Sequence, residues 1–108
     1  MKTMFEKLLT FDGGSEFKYE WGFDDNIKLY YGKEFKQKFS FDGLLYDELI
    51  REFKGKTVRL NQVLNEINVE DWLIGKGIKT RITSYLGSIL CYEKHAKKGT
   101  DRGIIIFK

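Results

Sequence analysis

Residues 78–107 read IKTRITSYLGSILCYEKHAKKGTDRGIIIF, and the way this stretch folds decides the architecture. Ile78, Ile82, Tyr85, Leu86, Ile89 and Leu90 recur at the spacing that gathers apolar side chains on one face of an α-helix. After them, Tyr92–Ala96 and Arg102–Phe107 flank Lys97-Lys98-Gly99-Thr100-Asp101, which predicts a β-hairpin with a basic tip. Positive charge is concentrated in the same region. From Lys76 to Lys108, eight basic residues (Lys76, Lys79, Arg81, Lys94, Lys97, Lys98, Arg102, Lys108) stand against Glu93 and Asp101, a net charge of +6. Residues 1–75 carry eleven basic and fourteen acidic side chains, a net charge of −3. A small protein that collects cations around one helix and the following hairpin presents them to a polyanion, and nucleic acid is the expected one.

Working back from Ile78, Gly75-Lys76-Gly77 breaks the chain. Asn68 is placed to cap a helix carrying Trp72 and Leu73, and Asn61 to cap another carrying Val63, Leu64 and Ile67. Thr57–Leu60 reads as a very short strand. A further helix starts at Asp42-Gly43, carries Leu44, Leu45, Glu48, Leu49 and Phe53, and ends at Gly55. Before it, apolar residues fall at every second position: Phe17, Tyr19, Trp21, Phe23, then Ile27, Leu29, Tyr31, then Phe35, Phe39, Phe41. That alternation marks strands with one buried face. Asp24-Asp25-Asn26 and Gly32-Lys33-Glu34 supply the turns of a three-stranded antiparallel β-meander. Thr3–Leu9 is read as a short helix, ended by Asp12-Gly13-Gly14. The whole is expected to be one α+β domain over residues 1–108, with a β-meander over 1–43 and a helical part with a C-terminal hairpin over 44–108.

A chain of 108 residues buries enough apolar surface for one core, and most of its nine Phe, six Tyr and two Trp are expected there. Cys91 is the only cysteine, so no internal disulfide, CxxC pair or cysteine zinc site can form. A reducing, cytoplasmic setting fits. Met1–Phe11 lacks the build of a signal peptide, and an apolar run such as Ile104–Phe107 is far too short to cross a bilayer, so no membrane is expected. His95, the sole histidine, rules out a two-histidine metal site and has no obvious acid–base partner. Gly55-Lys56-Thr57 is like the end of a phosphate-binding loop, but Ile50 stands where that loop needs glycine and a helix precedes it. The carboxylate pairs Asp24-Asp25, Asp47-Glu48 and Glu70-Asp71 sit in turns or early helical turns. No enzyme, cofactor or metal is expected.

A helix, a break, an amphipathic helix and a basic hairpin together resemble a winged helix-turn-helix DNA-binding domain. The resemblance covers Leu60–Lys108, and its best segment is Lys79–Leu90. It implies a winged-helix-like fold for this part, a recognition helix that enters the major groove, and a hairpin wing on the backbone. With Ile82 and Leu86 facing inward, the opposite side of the helix presents Thr80, Ser84, Gly87 and Cys91, flanked by Arg81, Ser88 and Thr83. Arg81 then reaches a base edge or a phosphate, and Lys97, Lys98 and Arg102 neutralise phosphates. The implied nucleic-acid contacts are Lys76, Lys79, Thr80, Arg81, Thr83, Ser84, Lys94, Lys97, Lys98 and Arg102. Duplex DNA is the implied partner, a transcriptional regulator or a phage or mobile-element factor the implied role, and a homodimer reading two half-sites is compatible with it.

Each feature has a plainer reading. A helix face of small residues also packs closely on another helix or on a partner protein, and lysines on a hairpin also guard a sheet edge against aggregation. A different class of function, a protein-binding inhibitor or adaptor such as phages carry against host defence (the anti-CRISPR kind included), draws on the high aromatic count. Tyr and Trp are common interface anchors, and exposure of Trp21, Tyr30 or Tyr46 would favour it.

Overall fold

The structure, a computed structural model, describes residues 5–108. It is α+β, with a four-stranded antiparallel sheet, three helices and a small second sheet. The first sheet contains β1 (Glu6–Leu9), β2 (Glu16–Trp21), β3 (Ile27–Tyr31) and β4 (Gln37–Phe41) in sequential order. Helix α1 (Gly43–Phe53), strand β5 (Thr57–Arg59), helices α2 (Val69–Gly75) and α3 (Thr83–Tyr92), and the hairpin β6 (Ala96–Lys98) and β7 (Ile104–Phe107) follow. The hairpin and β5 form the second sheet in the order β5-β7-β6, all antiparallel. Among the described residues no helix is long and apolar enough to cross a membrane.

The alternation expected for the meander is present. Phe17, Tyr19, Ile27, Leu29 and Phe41 are buried on one face, while Lys18, Glu20, Lys28, Tyr30, Lys38 and Ser40 take the other. The register sets Tyr19 opposite Leu29, and Leu29 opposite Phe39. Two aromatic positions depart from it. Phe23 is 83% exposed, because β2 ends at Trp21 and Phe23 enters the turn, where Asp25 takes a positive φ of 64°. Phe35 lies before β4, in a tight turn over Lys33–Phe35.

The meander also has a fourth member. Glu6–Leu9, expected to be helical as part of Thr3–Leu9, is an edge strand paired with β2 from Glu6↔Tyr19 to Leu9↔Glu16; residues 3 and 4 lie outside the described residues. A segment this short has little helical stability of its own. The open backbone groups of β2 offer it partners along its length.

Asp42 caps α1, its side chain accepting from the Leu44 amide. Gly43 is required beside it: a Cβ there would stand 1.9 Å from the carbonyl oxygen of Asp25, so the helix abuts the β2–β3 turn. The buried stripe is Tyr46, Leu49 and Phe53, whereas Leu44 is 78% exposed. Gly55 has the positive φ, 76°, that its place after the helix requires.

Residues 61–67 form no helix. Asn61 does not cap one; its side-chain oxygen accepts from the Thr83 hydroxyl at 2.7 Å. The loop is tied instead by Asn68, whose amide donates to the Val63 and Glu66 carbonyls while its oxygen accepts from the Asp71 amide and caps α2 as expected. One core then unites both sheets and all three helices, with Ile82, Leu86, Ile89 and Leu90 of the α3 stripe fully buried in it.

The polar centre of this core is Glu93, just after α3. One carboxylate oxygen accepts from the Tyr19 hydroxyl at 2.7 Å and the Trp21 indole N–H at 2.8 Å. The other accepts from the Tyr46 hydroxyl at 3.0 Å. Burial, reinforced by this carboxylate, pushes both tyrosine hydroxyls well above their ordinary pKa.

Candidate nucleic-acid interface

The expected recognition helix differs from the one that forms. Helix α3 begins at Thr83, with Ile82 as its N-cap residue and no side-chain cap. Ile78–Arg81 belong to the loop after α2, where the Ile78 amide bonds the Leu73 carbonyl and Gly77 takes a φ of 89°. The two closely spaced glycines, Gly75 and Gly77, end α2, and the chain needs several residues to turn before helix can resume. Lys79, Thr80 and Arg81 are therefore exposed loop residues rather than the first turn of a groove-reading helix.

The small-residue face of α3 is covered. Gly87 is buried, and a Cβ there would meet Leu60 at 2.7 Å and Phe11 at 2.9 Å. The Ser84 carbonyl accepts from the Phe11 amide at 3.0 Å, and the Ser88 hydroxyl donates to the Leu9 carbonyl. Tyr85 packs against Phe17 and Tyr31. Thr83, expected on an accessible flank, is buried with its hydroxyl spent on Asn61. The small side chains thus allow the β1–Phe11 segment and Leu60 to come close, which corrects the expectation that they leave room for a DNA groove. Tyr92, expected in the hairpin, is the last residue of α3.

The cations are placed as follows. Lys76 pairs with Glu48 at 2.6 Å and lies over the Trp72 ring. Arg81 reaches Glu70 at 3.5 Å; Glu70 is held in turn by the Gln62 amide. Lys79, Lys94, Lys97, Lys98, Arg102 and Lys108 are exposed, and none has a carboxylate in ion-pair reach among the described residues.

Three of the expected contacts converge. Ser84, Lys98 and Arg102 line one cleft of about 550 Å³ between the hairpin tip, the start of α3 and the Phe11-Asp12 turn. Strand alternation explains why Lys98 belongs to it and Lys97 does not: Lys98 pairs with the buried Ile105, and Lys97 with Ile106 on the other face. Lys98 also lies 5.2 Å from the Phe11 ring centre.

Asp12, Asn61 and Asp101 enter the same cleft and were not anticipated. The Thr10 hydroxyl and the Gly14 amide hold the Asp12 carboxyl below its ordinary range, with Arg102 adding to the effect. Nothing local in the sequence marks Asp12 or Asn61, because both arrive through tertiary packing.

Two of the aromatic anchors are committed to the interior: Tyr46 is buried, Trp21 half-buried, and both donate to Glu93. Tyr30 stays at the surface, donating to Glu20. His95 is half-buried against the Tyr46 ring, and burial raises the Cys91 thiol above its ordinary pKa. No family model, curated protein or solved structure matches this chain, so the geometry of its own surface carries the functional reading.

Proposed function

We propose that the chain is a small nucleic-acid-binding protein that grips the phosphate backbone of duplex DNA with the exposed cations of its C-terminal third. The observation that carries this reading is the set of six cations there with no carboxylate in ion-pair reach among the described residues, two of which, Lys98 and Arg102, line one cleft beside α3. The order α1-β5-α2-α3-β6-β7, with the hairpin following directly on α3, is compatible with the winged-helix expectation for the frame. The covered face of α3 argues for backbone contacts in place of groove reading. Such contacts give affinity and salt dependence but little sequence preference. A regulator or a phage or mobile-element factor that coats or bridges DNA fits that behaviour.

The test is a salt titration of binding to labelled duplexes of unrelated sequence. Affinity should fall steeply between about 50 and about 200 mM salt, to a similar degree on each duplex. The triple variant Lys97→Ala, Lys98→Ala, Arg102→Ala should flatten the logarithmic slope by up to about 3. Lys28→Ala, whose ammonium already pairs with Asp24, should leave it unchanged. No binding at low salt, or a triple variant with the original slope, overturns the reading.

A protein-binding role as inhibitor or adaptor draws on a separate observation: Leu64 and Ile67 are 86% and 70% exposed in one loop. Leu64→Asp with Ile67→Asp would abolish that role and spare DNA binding.

A further inference from the structure

We propose that the solvent face of the four-stranded sheet is a platform for single-stranded nucleic acid, on which Phe5, Tyr30 and Phe35 stack with bases while Lys7, Lys18 and Lys38 hold phosphates. The proposal rests on the nucleic-acid reading above only for the class of ligand; the surface is a different one.

The register builds the platform. Lys7 lies opposite Lys18, Lys18 opposite Tyr30, and Tyr30 opposite Lys38, one continuous row across all four strands. With neighbouring strands about 4.8 Å apart, the row is about 14 Å long. Like charges directly opposite one another destabilise an antiparallel pair, so Lys7 beside Lys18 is a poor choice for the isolated sheet. Neither these two lysines nor Lys38 has a carboxylate in ion-pair reach among the described residues. An anionic chain laid along the row removes the conflict.

The rings occupy the same face. Phe5 is 52% exposed and meets the Tyr30 ring edge-on at 5.2 Å. The Lys18 ammonium lies 4.7 Å from the centre of the Phe35 ring and 5.8 Å from that of Phe5, and the Lys7 ammonium lies 6.0 Å from Phe35. Phe35 reaches this place through an unusual backbone: Glu34 and Phe35 both have a φ of 57°, a left-handed conformation that ordinary side chains disfavour. The solvated face of an antiparallel sheet is ordinarily polar, and three rings interleaved with three unpaired ammonium groups have the chemistry of a single-strand site. Rings can stack only on unpaired bases, which selects a single strand over a duplex.

The experiment measures anisotropy of labelled thymidine and uridine oligonucleotides of about 15 residues, beside a duplex, with thermal unfolding of each variant to confirm the fold. Phe35→Leu keeps the apolar bulk and loses the stacking surface. It should weaken single-strand binding about fivefold or more and leave duplex binding unchanged. Lys7→Gln, Lys18→Gln and Lys38→Gln together should flatten the single-strand salt slope by about 2. Equal binding of the two oligonucleotides means that stacking and phosphate contacts suffice; tighter uridine binding adds a contact to the 2′-hydroxyl, and the platform stands either way. Single-strand binding that survives the sheet variants but is lost in the hairpin triple variant overturns this proposal and leaves the phosphate-gripping reading intact. Duplex binding without single-strand binding does the same, and binding to no nucleic acid overturns both.

Discussion

Glu93→Ala removes the acceptor that three donors share, and its cost follows from where those donors lie. Tyr19 and Tyr46 are 3% and 1% exposed, so their hydroxyls lose an acceptor that little else around them can replace. A buried donor left unsatisfied costs about 1–3 kcal/mol, so the pair costs about 2–6 kcal/mol. Trp21 is half-buried, and its indole N–H can turn to solvent at small cost. Against this stands the desolvation of the carboxylate, which the variant no longer suffers. The net loss should be about 2–4 kcal/mol. In a domain of about this size each kcal/mol lowers the unfolding midpoint by about 4–8 °C, so a fall of at least about 8 °C is expected by calorimetry or circular dichroism. Combining Glu93→Ala with Tyr46→Phe should cost clearly less than the sum of the single losses, by more than about 0.5 kcal/mol, because both remove one interaction. A Glu93→Ala midpoint within about 2 °C of the parent, or strict additivity in the double variant, would refute the idea that this carboxylate organises the core.

Gly43→Ala should lower stability by about 2 kcal/mol or more in urea unfolding, since the new methyl group must displace the Asp25 carbonyl from a 1.9 Å approach; a neutral result would mean the β2–β3 turn moves freely. Stability should also fall in alkali. Folding holds the protons of Tyr19 and Tyr46 more tightly than the unfolded chain, whose tyrosines titrate near pH 10. Their contribution is therefore complete below about pH 10 and declines above it, by up to about 1.4 kcal/mol per pH unit for each ring. Unfolding midpoints measured from about pH 9 to about pH 11.5 should show the decline, and Tyr46→Phe should reduce it; a flat profile would contradict the burial of these hydroxyls.

Much of this architecture could be read from local pattern. Strict alternation located β2, β3 and β4; Asn68 announced α2; the stripe from Ile82 to Leu90 and the basic tip located α3 and its hairpin. The failures share a cause, which is that the deciding partner is distant in the chain. Glu6–Leu9 becomes a strand because β2 has a free edge, and Asn61 is drawn away from capping by Thr83. Ile78 lies at helical spacing from Ile82, yet the backbone between them serves the turn out of α2. The same limit governed the site. The small side chains of Ser84, Gly87 and Ser88 do allow close approach, but what approaches is the chain's own Phe11 and Leu60 and not a DNA groove. Lys98 and Arg102 were legible as cations, while their convergence with Asp12 and Asn61 emerges only after folding. Lys18, Tyr30 and Lys38 of the outward row fall at the intervening positions of the alternation, whereas Lys7 joins them only because Glu6–Leu9 is a strand and not the expected helix.

The triply bonded carboxylate at residue 93 makes one knot of pieces that a modular view would separate. Its donors come from β2 and α1, and it follows α3 itself, so the amino-terminal sheet cannot peel away without breaking two of the carboxylate's three hydrogen bonds and baring the flank of the last helix. An excised fragment 44–108 would lose two of its three tethers along with Phe11 and Phe17. Deuterium should accordingly enter the amides of β2 and α3 at matching rates, through whole-molecule unfolding rather than the opening of either half alone.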